Sequence, residues 1–375
     1  MNQSQAEELA GVHQPEEIEQ IDESGIINAP FDPNTVKISN PPQNIGDILD
    51  RIEHKEINLV TDFQRQADLW DKTKQSQLIE SILLRFPLPA FYFDGQDDNK
   101  WQVVDGLQRI STLKNFAVDK SLKLQGLEFL TQFHDQGFDD LPRELQRRIK
   151  SFPITVHVIE KGAPDEVKYN IFSRINKGGL VLEPQEIRHA LNQGVAANFV
   201  KELSEIPEFK EATCWSIRSE RMQDRDFVTR FVSFYLVGFG QYQPDLDSFM
   251  NRGMKQIPKE AAARQAILDD FKRAMKTAVQ IFGNDAFRKR YDPKATRKPI
   301  NKALFEVLSV CFAKLTATDC QQLANKAELF RTKFIEIHTD DPAFLRAITQ
   351  GTGQKDNVER RFSTIQKIIQ ETLQA

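Results

Sequence analysis

The chain contains only three cysteines, Cys214, Cys311 and Cys320, and none stand in a C-x-x-C spacing. That odd, dispersed set excludes a disulfide framework and a zinc finger, and it leaves buried reduced thiols as the expected state. No stretch approaches the roughly 18 uninterrupted apolar residues of a membrane span, and the first residues lack a basic run followed by an apolar one. A helical membrane anchor and a secretory leader are therefore not expected, and the chain reads as cytoplasmic. Lys and Arg are missing altogether from residues 1–34, which carry eight acids (Glu7, Glu8, Glu16, Glu17, Glu19, Asp22, Glu23, Asp32). Taking these from the net charge of −4 leaves +4 on the remainder. An acidic, Gln-rich start with few large apolar residues cannot offset its ordering entropy, so residues 1–39 are expected to be a disordered tail, either solubilising or shielding a nucleic-acid surface.

What is present is a soluble, globular composition, with 40% hydrophobic and 28% charged residues over 375 positions, enough for two domains with buried cores. Ile45, Ile48, Leu49 and Ile52 have helical spacing, and Ile57–Val60 is a short strand candidate running into Gln64 and Arg65. Asp71 caps an expected helix whose stripe is Leu78, Ile79, Ile82, Leu83 and Phe86, stopped by Pro87 and Pro89. Residues 90–93 and 101–104 read as a hairpin around GQDDNK, followed by a helix over 107–118. A short helix opened by Pro142, a strand over 154–159 and a helix over 165–175 come next. The Asn176-Lys177-Gly178-Gly179 loop then leads to a helix with Pro184 in its first turn. Beyond about Gly194 helical patterns take over. The expected organisation is α+β: a tail over 1–39, a domain with a small mixed sheet over 40–194, and a mostly helical domain over 195–375. A basic connector at 288–299 reads as a solvated loop or a DNA patch.

The segment VVDGLQRISTL, 103–113, sets a strand against a helix. Asp105 and Gln108 have capping-box spacing, which is a sufficient structural account of both. It leaves Arg109 over. Gln108, Arg109 and Thr112 share a helical face near the turn where free amides and the positive end of the dipole collect, and Gly106 admits a close ligand. Such a junction suits an anion, and an Arg one turn in supplies a fork for phosphate. Gln64-Arg65 and the 176–179 glycine loop are two further clusters suited to anionic oxygens, although each alone also reads as a turn.

Taken in order, DFQRQADLW with LIESILLRFPLPAFYF, then VVDGLQRISTL, then FSRINKGGLVLEPQEIRHAL resemble the N-terminal domain family of GmrSD-type restriction endonucleases. ERMQDRDFVTRF and DLDSFMNRGM resemble its helical continuation. The resemblance implies a ParB/sulfiredoxin-like fold that binds, and in characterised members hydrolyses, nucleoside triphosphates in antiphage defence. The family's Asp-Gly-Gln-Gln-Arg signature falls on Asp105, Gly106, Leu107, Gln108 and Arg109, with Leu107 replacing an amide. Its Gln-Arg pair falls on Gln64 and Arg65, its glycine loop on Asn176, Gly178 and Gly179, and the following helix holds Glu186 and Arg188.

The implied site has Asp105, Gln108 and Arg109 in the chemistry, with Asp105 binding Mg2+ or orienting water. Gln64, Arg65, Gly106, Thr112, Asn176, Lys177, Gly178, Gly179 and Arg188 hold the nucleotide. With Leu107 in place of the amide, the pocket is expected to keep nucleotide binding and to lose a catalytic or base-specific contact. Many relatives carry a nuclease with a His-rich metal finger, whereas only His189 and His338 follow His157 here, so cleavage is expected from a separate subunit. DNA and a second copy of the chain complete the expected partners, without a membrane. A non-catalytic ParB-like DNA-binding module and a protein-interaction scaffold are the competing readings.

Overall fold

The computed structural model describes residues 18–23, 36–59, 70–97, 99–175, 183–294 and 296–375. The chain divides into two compact units, one over Phe31–Leu182 and one over Glu183–Ala375, which also takes up the described N-terminal residues. The first is α+β and the second helical. The Pro184–Leu191 helix groups with the helical unit, so the division falls at Leu182/Glu183, ahead of the boundary near 194 that the composition suggests.

In the α+β unit a mixed sheet is built around the expected hairpin. Phe91–Asp94 runs antiparallel to Trp101–Asp105 and parallel to Val156–Ile159, while Ile57–Asn58 adds in parallel beside Trp101. Ile38–Ser39 closes the far edge, antiparallel to Val156–Ile159. The Ile45–Glu53 helix starts where Asn44 and Asp47 satisfy each other's amides, and the Lys72–Leu83 helix where Asp71 accepts from Lys74 N at 2.8 Å. Their apolar stripes join Phe91, Phe93 and Val103 in one core.

Three expectations change here. Phe86 is 50% exposed rather than part of the stripe. The helix ends at Leu83, before the prolines: Arg85 adopts φ +63°, and Phe86 N donates to Ser81 O, turning the Phe86 side chain outward. The 154–159 strand is split, with Pro153–Ile154 pairing to Gln43–Asn44 and only Val156–Ile159 in the main sheet. Finally, the helix after the hairpin is α-helical over Leu107–Leu113 and closes as a π turn over Lys114–Val118. The unit also holds an anchor that the pattern did not disclose. Buried Glu80 accepts from the amides of Glu128 (3.1 Å), Phe129 (2.7 Å) and Leu130 (2.7 Å). Burial alone would raise its pKa, but these donors hold it below the usual carboxylate value.

The helical unit is centred on Lys302–Ala313, buried at every position from Ala303 to Ala313. Phe305 meets Phe209, Phe227 and Phe287 edge-on at centroid distances of 5.8, 5.1 and 4.8 Å. Burial pushes the Cys311 thiol up to about 12, the inert state expected of it. Glu306, the single acid of this helix, accepts from Arg361 Nε at 2.7 Å, and Arg361 also donates to Thr352 O at 2.8 Å.

The tail expectation does not hold for residues 18–23. Ile18 bridges to Ile300, Glu19 N donates to Ile300 O at 2.9 Å, and Asp22 O accepts from Thr352 N at 2.8 Å. The basic connector is likewise tied in. Arg288 is buried and donates to Lys298 O at 2.6 Å, Lys289 pairs with Glu19, and Arg290 pairs with Asp285 at 2.6 Å. These three cations are engaged inside the unit, which removes much of the proposed DNA patch.

Candidate functional site

At the junction of Trp101–Asp105 with Leu107–Leu113 the N-cap is Gly106, at φ +98° and with no side-chain cap. The expected capping box is therefore replaced. Asp105 turns its carboxylate to Arg109 Nη2 at 2.8 Å, and Gln108 Oε1 accepts from Trp70 N at 3.3 Å. Glycine is required at 106 on two counts. The backbone is left-handed, and a Cβ would lie 2.6 Å from Phe91 Cδ1 and 3.2 Å from Arg109 Nη2.

Arg109 has an account that spacing did not suggest. Besides Asp105, its guanidinium donates to Pro89 O and to Ala90 O (3.1 Å), and it lies 4.4 Å from the centroid of the Phe91 ring. Burial lowers its pKa against the pull of Asp105. The fork expected to meet phosphate is thus committed to the chain entering the hairpin, and it positions Asp105. Thr112 is also turned inward, with its hydroxyl buried and donating to Gln108 O at 2.8 Å. What the junction presents outward is Asp105, whose side chain is 32% exposed, beside half-buried Leu107 and Gln108.

Gln64, Arg65, Asn176, Lys177, Gly178 and Gly179 lie outside the described residues. Arg188 belongs to the helical unit, where it meets Gln185, Asp247 and Asp226, the last at 3.6 Å. Glu186, two residues before, accepts from Arg221 through both oxygens at 2.9 and 2.7 Å and from Glu183 N at 2.7 Å.

Arg188 and Arg221 lead to a cleft of about 880 Å³ that sequence reasoning missed. Its walls come from the start of the Pro184–Leu191 helix, residues 216–223, Asp226 and Arg230 of the Gln223–Leu236 helix, Asp247, Lys302 and the N-terminal residues. Arg230, 3% exposed, meets Asp226 (3.3 Å), Glu306 (3.5 Å) and Glu23 (2.7 Å). These three acids raise its pKa, although burial opposes them. Burial likewise works against Asp226, but Lys302, Arg230 and Arg188 hold it far below the carboxylate range. The signal was in the sequence. Asp226 and Arg230 stand four apart in the otherwise largely apolar DFVTRFVSF stretch, and Glu306 is the single acid in KALFEVLSVCFA.

The two late histidines are core residues. His338 is buried, its Nδ1 lies 2.7 Å from Phe334 O, and burial lowers its pKa to about 4. Buried His189 lies beside Arg225, 3.3 Å from its Nη1.

No curated protein and no solved structure matches the chain. Residues 45–192 do match the family described as GmrSD restriction endonuclease, N-terminal domain. The matched span takes in the hairpin, the Asp105–Arg109 junction and the Glu186–Arg188 helix, the same segments that carry the resemblance in the sequence. Residues 45–192 therefore belong to the N-terminal domain family of GmrSD restriction endonucleases, a restriction-associated domain.

Proposed function

We propose that this chain is a nucleoside-triphosphate-binding component of a bacterial restriction-type defence system, acting with DNA and a separate nuclease subunit, and that the junction at Asp105–Arg109 holds the nucleotide. The observation that carries the reading is the junction itself: a left-handed glycine opens a helix without a side-chain cap, beside a carboxylate held at a fixed angle by a buried arginine. Backbone amides at a helix start suit phosphate oxygens. The family membership of residues 45–192 favours the same reading.

The residues divide the work. Gly106 brings the backbone close to the phosphates, and Gln108 lies beside them. Arg109 acts as a positioning residue, through Asp105 rather than on the nucleotide. Asp105 suits Mg2+: Arg109 engages only its Oδ2, and a metal that keeps several waters needs no more than one or two carboxylates. When bound, Mg2+ neutralises phosphate charge and so favours phosphoryl transfer, which depends mainly on positioning and electrostatics.

A thermal-shift panel of the four ribonucleoside triphosphates with Mg2+ tests the reading. Ligand at 100 times its Kd adds about 2.7 kcal/mol to the folded state, so a binder raises Tm by a few degrees. A panel in which no nucleotide moves Tm at millimolar concentration contradicts it.

A further inference from the structure

Residues 18–23, IEQIDE, lie on the helical unit in the manner of a bound acidic peptide. The backbone pairs with Ile300, and Ile18 and Ile21 pack against the core. Each acid meets a donor. Glu19 meets Lys289 and Asn301 Nδ2 (3.0 Å), Asp22 meets Gly351 N (3.1 Å), and Glu23 meets Arg230 Nη2 (2.7 Å) and Lys302 Nζ (3.9 Å).

Ile18, Gln20 and Glu23 also form part of the wall of the 880 Å³ cleft. Five cationic side chains line that cleft against four acids of the helical frame, and Glu23 brings the fifth. Asp226 and Glu306 take Nε and Nη1 of Arg230 from within the frame, so its remaining nitrogen is answered by a carboxylate arriving from the N-terminal segment. Further cations stand at the cleft, with the Arg218 and Arg221 side chains 56% and 36% exposed.

We propose that the floor at Arg230 and Lys302 is a binding site for the oxyanion of a phosphate-bearing ligand, and that residues 18–23 are a built-in acidic occupant which that ligand displaces. A carboxylate and a phosphate both offer an anionic oxygen to a guanidinium N–H and a nearby ammonium, so Glu23 is a chemical stand-in for the ligand. The cleft has room well beyond one carboxylate, within the range of small-molecule sites. While the segment is docked, the ligand's apparent affinity is scaled down by the undocked fraction. This site lies in the helical unit and does not depend on the nucleotide reading of the Asp105–Arg109 junction.

The test is titration calorimetry on the full chain with two probes, tripolyphosphate and a short DNA duplex. Glu23→Gln keeps the shape and removes the charge; if the segment is about nine-tenths docked, one probe binds about tenfold tighter than to the unaltered chain. Lys302→Gln, added to that variant, cancels the gain, and a synthetic peptide of residues 16–25 competes with the probe. A gain with tripolyphosphate assigns a free phosphate compound, and a gain confined to the duplex assigns a nucleic-acid backbone. Unchanged affinity for both probes in Glu23→Gln, or a gain that survives Lys302→Gln, overturns the proposal.

Discussion

In the α+β unit two buried charges answer mainly backbone, beside the buried pair of Lys168 with Asp94 at 3.4 Å. Glu80 gathers the amides of 128–130, and Arg109 gathers the carbonyls of Pro89 and Ala90 while steering Asp105. In the helical unit buried charges mainly answer one another, with Arg188, Arg230, Asp226, Glu306 and Arg361 joined side chain to side chain and half-buried Lys302 paired to Asp226. The first arrangement fixes the path of a loop, and its loss is felt locally. The second is a network in which removing one partner leaves several buried charges short of a counter-ion.

The contrast can be broken most forcefully at its centre. Glu306→Ala leaves Arg361 and Arg230 buried without their shared acid and should cost roughly 3–5 kcal/mol in urea unfolding, the range for breaking a buried pair. A loss under 1 kcal/mol would make the network incidental. Acid acts on the same unit through His338. Its folded pKa of about 4 lies below the ordinary 6.5, so the unfolded chain takes up the proton first. The associated stability is present above about pH 6.5 and falls as pH drops towards 4, by roughly 3 kcal/mol in all. His338→Asn should flatten that part of the pH profile, and an unaltered slope would contradict the assignment.

The α+β unit should respond less. Glu80→Ala leaves three amides without their acceptor and should cost about 2–3 kcal/mol by urea unfolding, since hydrogen bonds to a charged group are the stronger kind. Gly106→Ala forces φ +98° on a residue with a Cβ directed at Phe91 and should cost about 1–3 kcal/mol together with nucleotide binding. If it binds nucleotide as the unaltered chain does, the junction is not the site. The smallest change is Leu107→Gln, which places at a half-buried position the amide that the sequence resemblance implies. Steady-state phosphate release should rise, with stability altered by no more than about 1 kcal/mol.

Much of this was legible in the residues. The hairpin, the Asp71 cap, the Pro184 helix and the change to helices beyond the first domain follow from patterning and turn chemistry that act over a few residues. The Asp105–Arg109 junction was found for the same reason, but the partners of Arg109 were not. Pro89 and Ala90 lie about twenty positions upstream, and their carbonyls carry no side-chain signature. The cleft was missed because its charges come from five separate stretches of chain, and the docking of 18–23 because acidic composition describes solvation and is silent about a basic partner far along the sequence.

The most direct measurement of the central claim is calorimetry of Mg2+–nucleoside triphosphate, using the nucleotide with the largest thermal shift, on the unaltered chain and on Asp105→Asn. The account predicts Mg2+-dependent binding by the unaltered chain. The variant should remain folded by circular dichroism, and its affinity should fall at least tenfold and lose its dependence on Mg2+. Equal affinity in a folded Asp105→Asn variant would contradict the assignment of the junction as the nucleotide site.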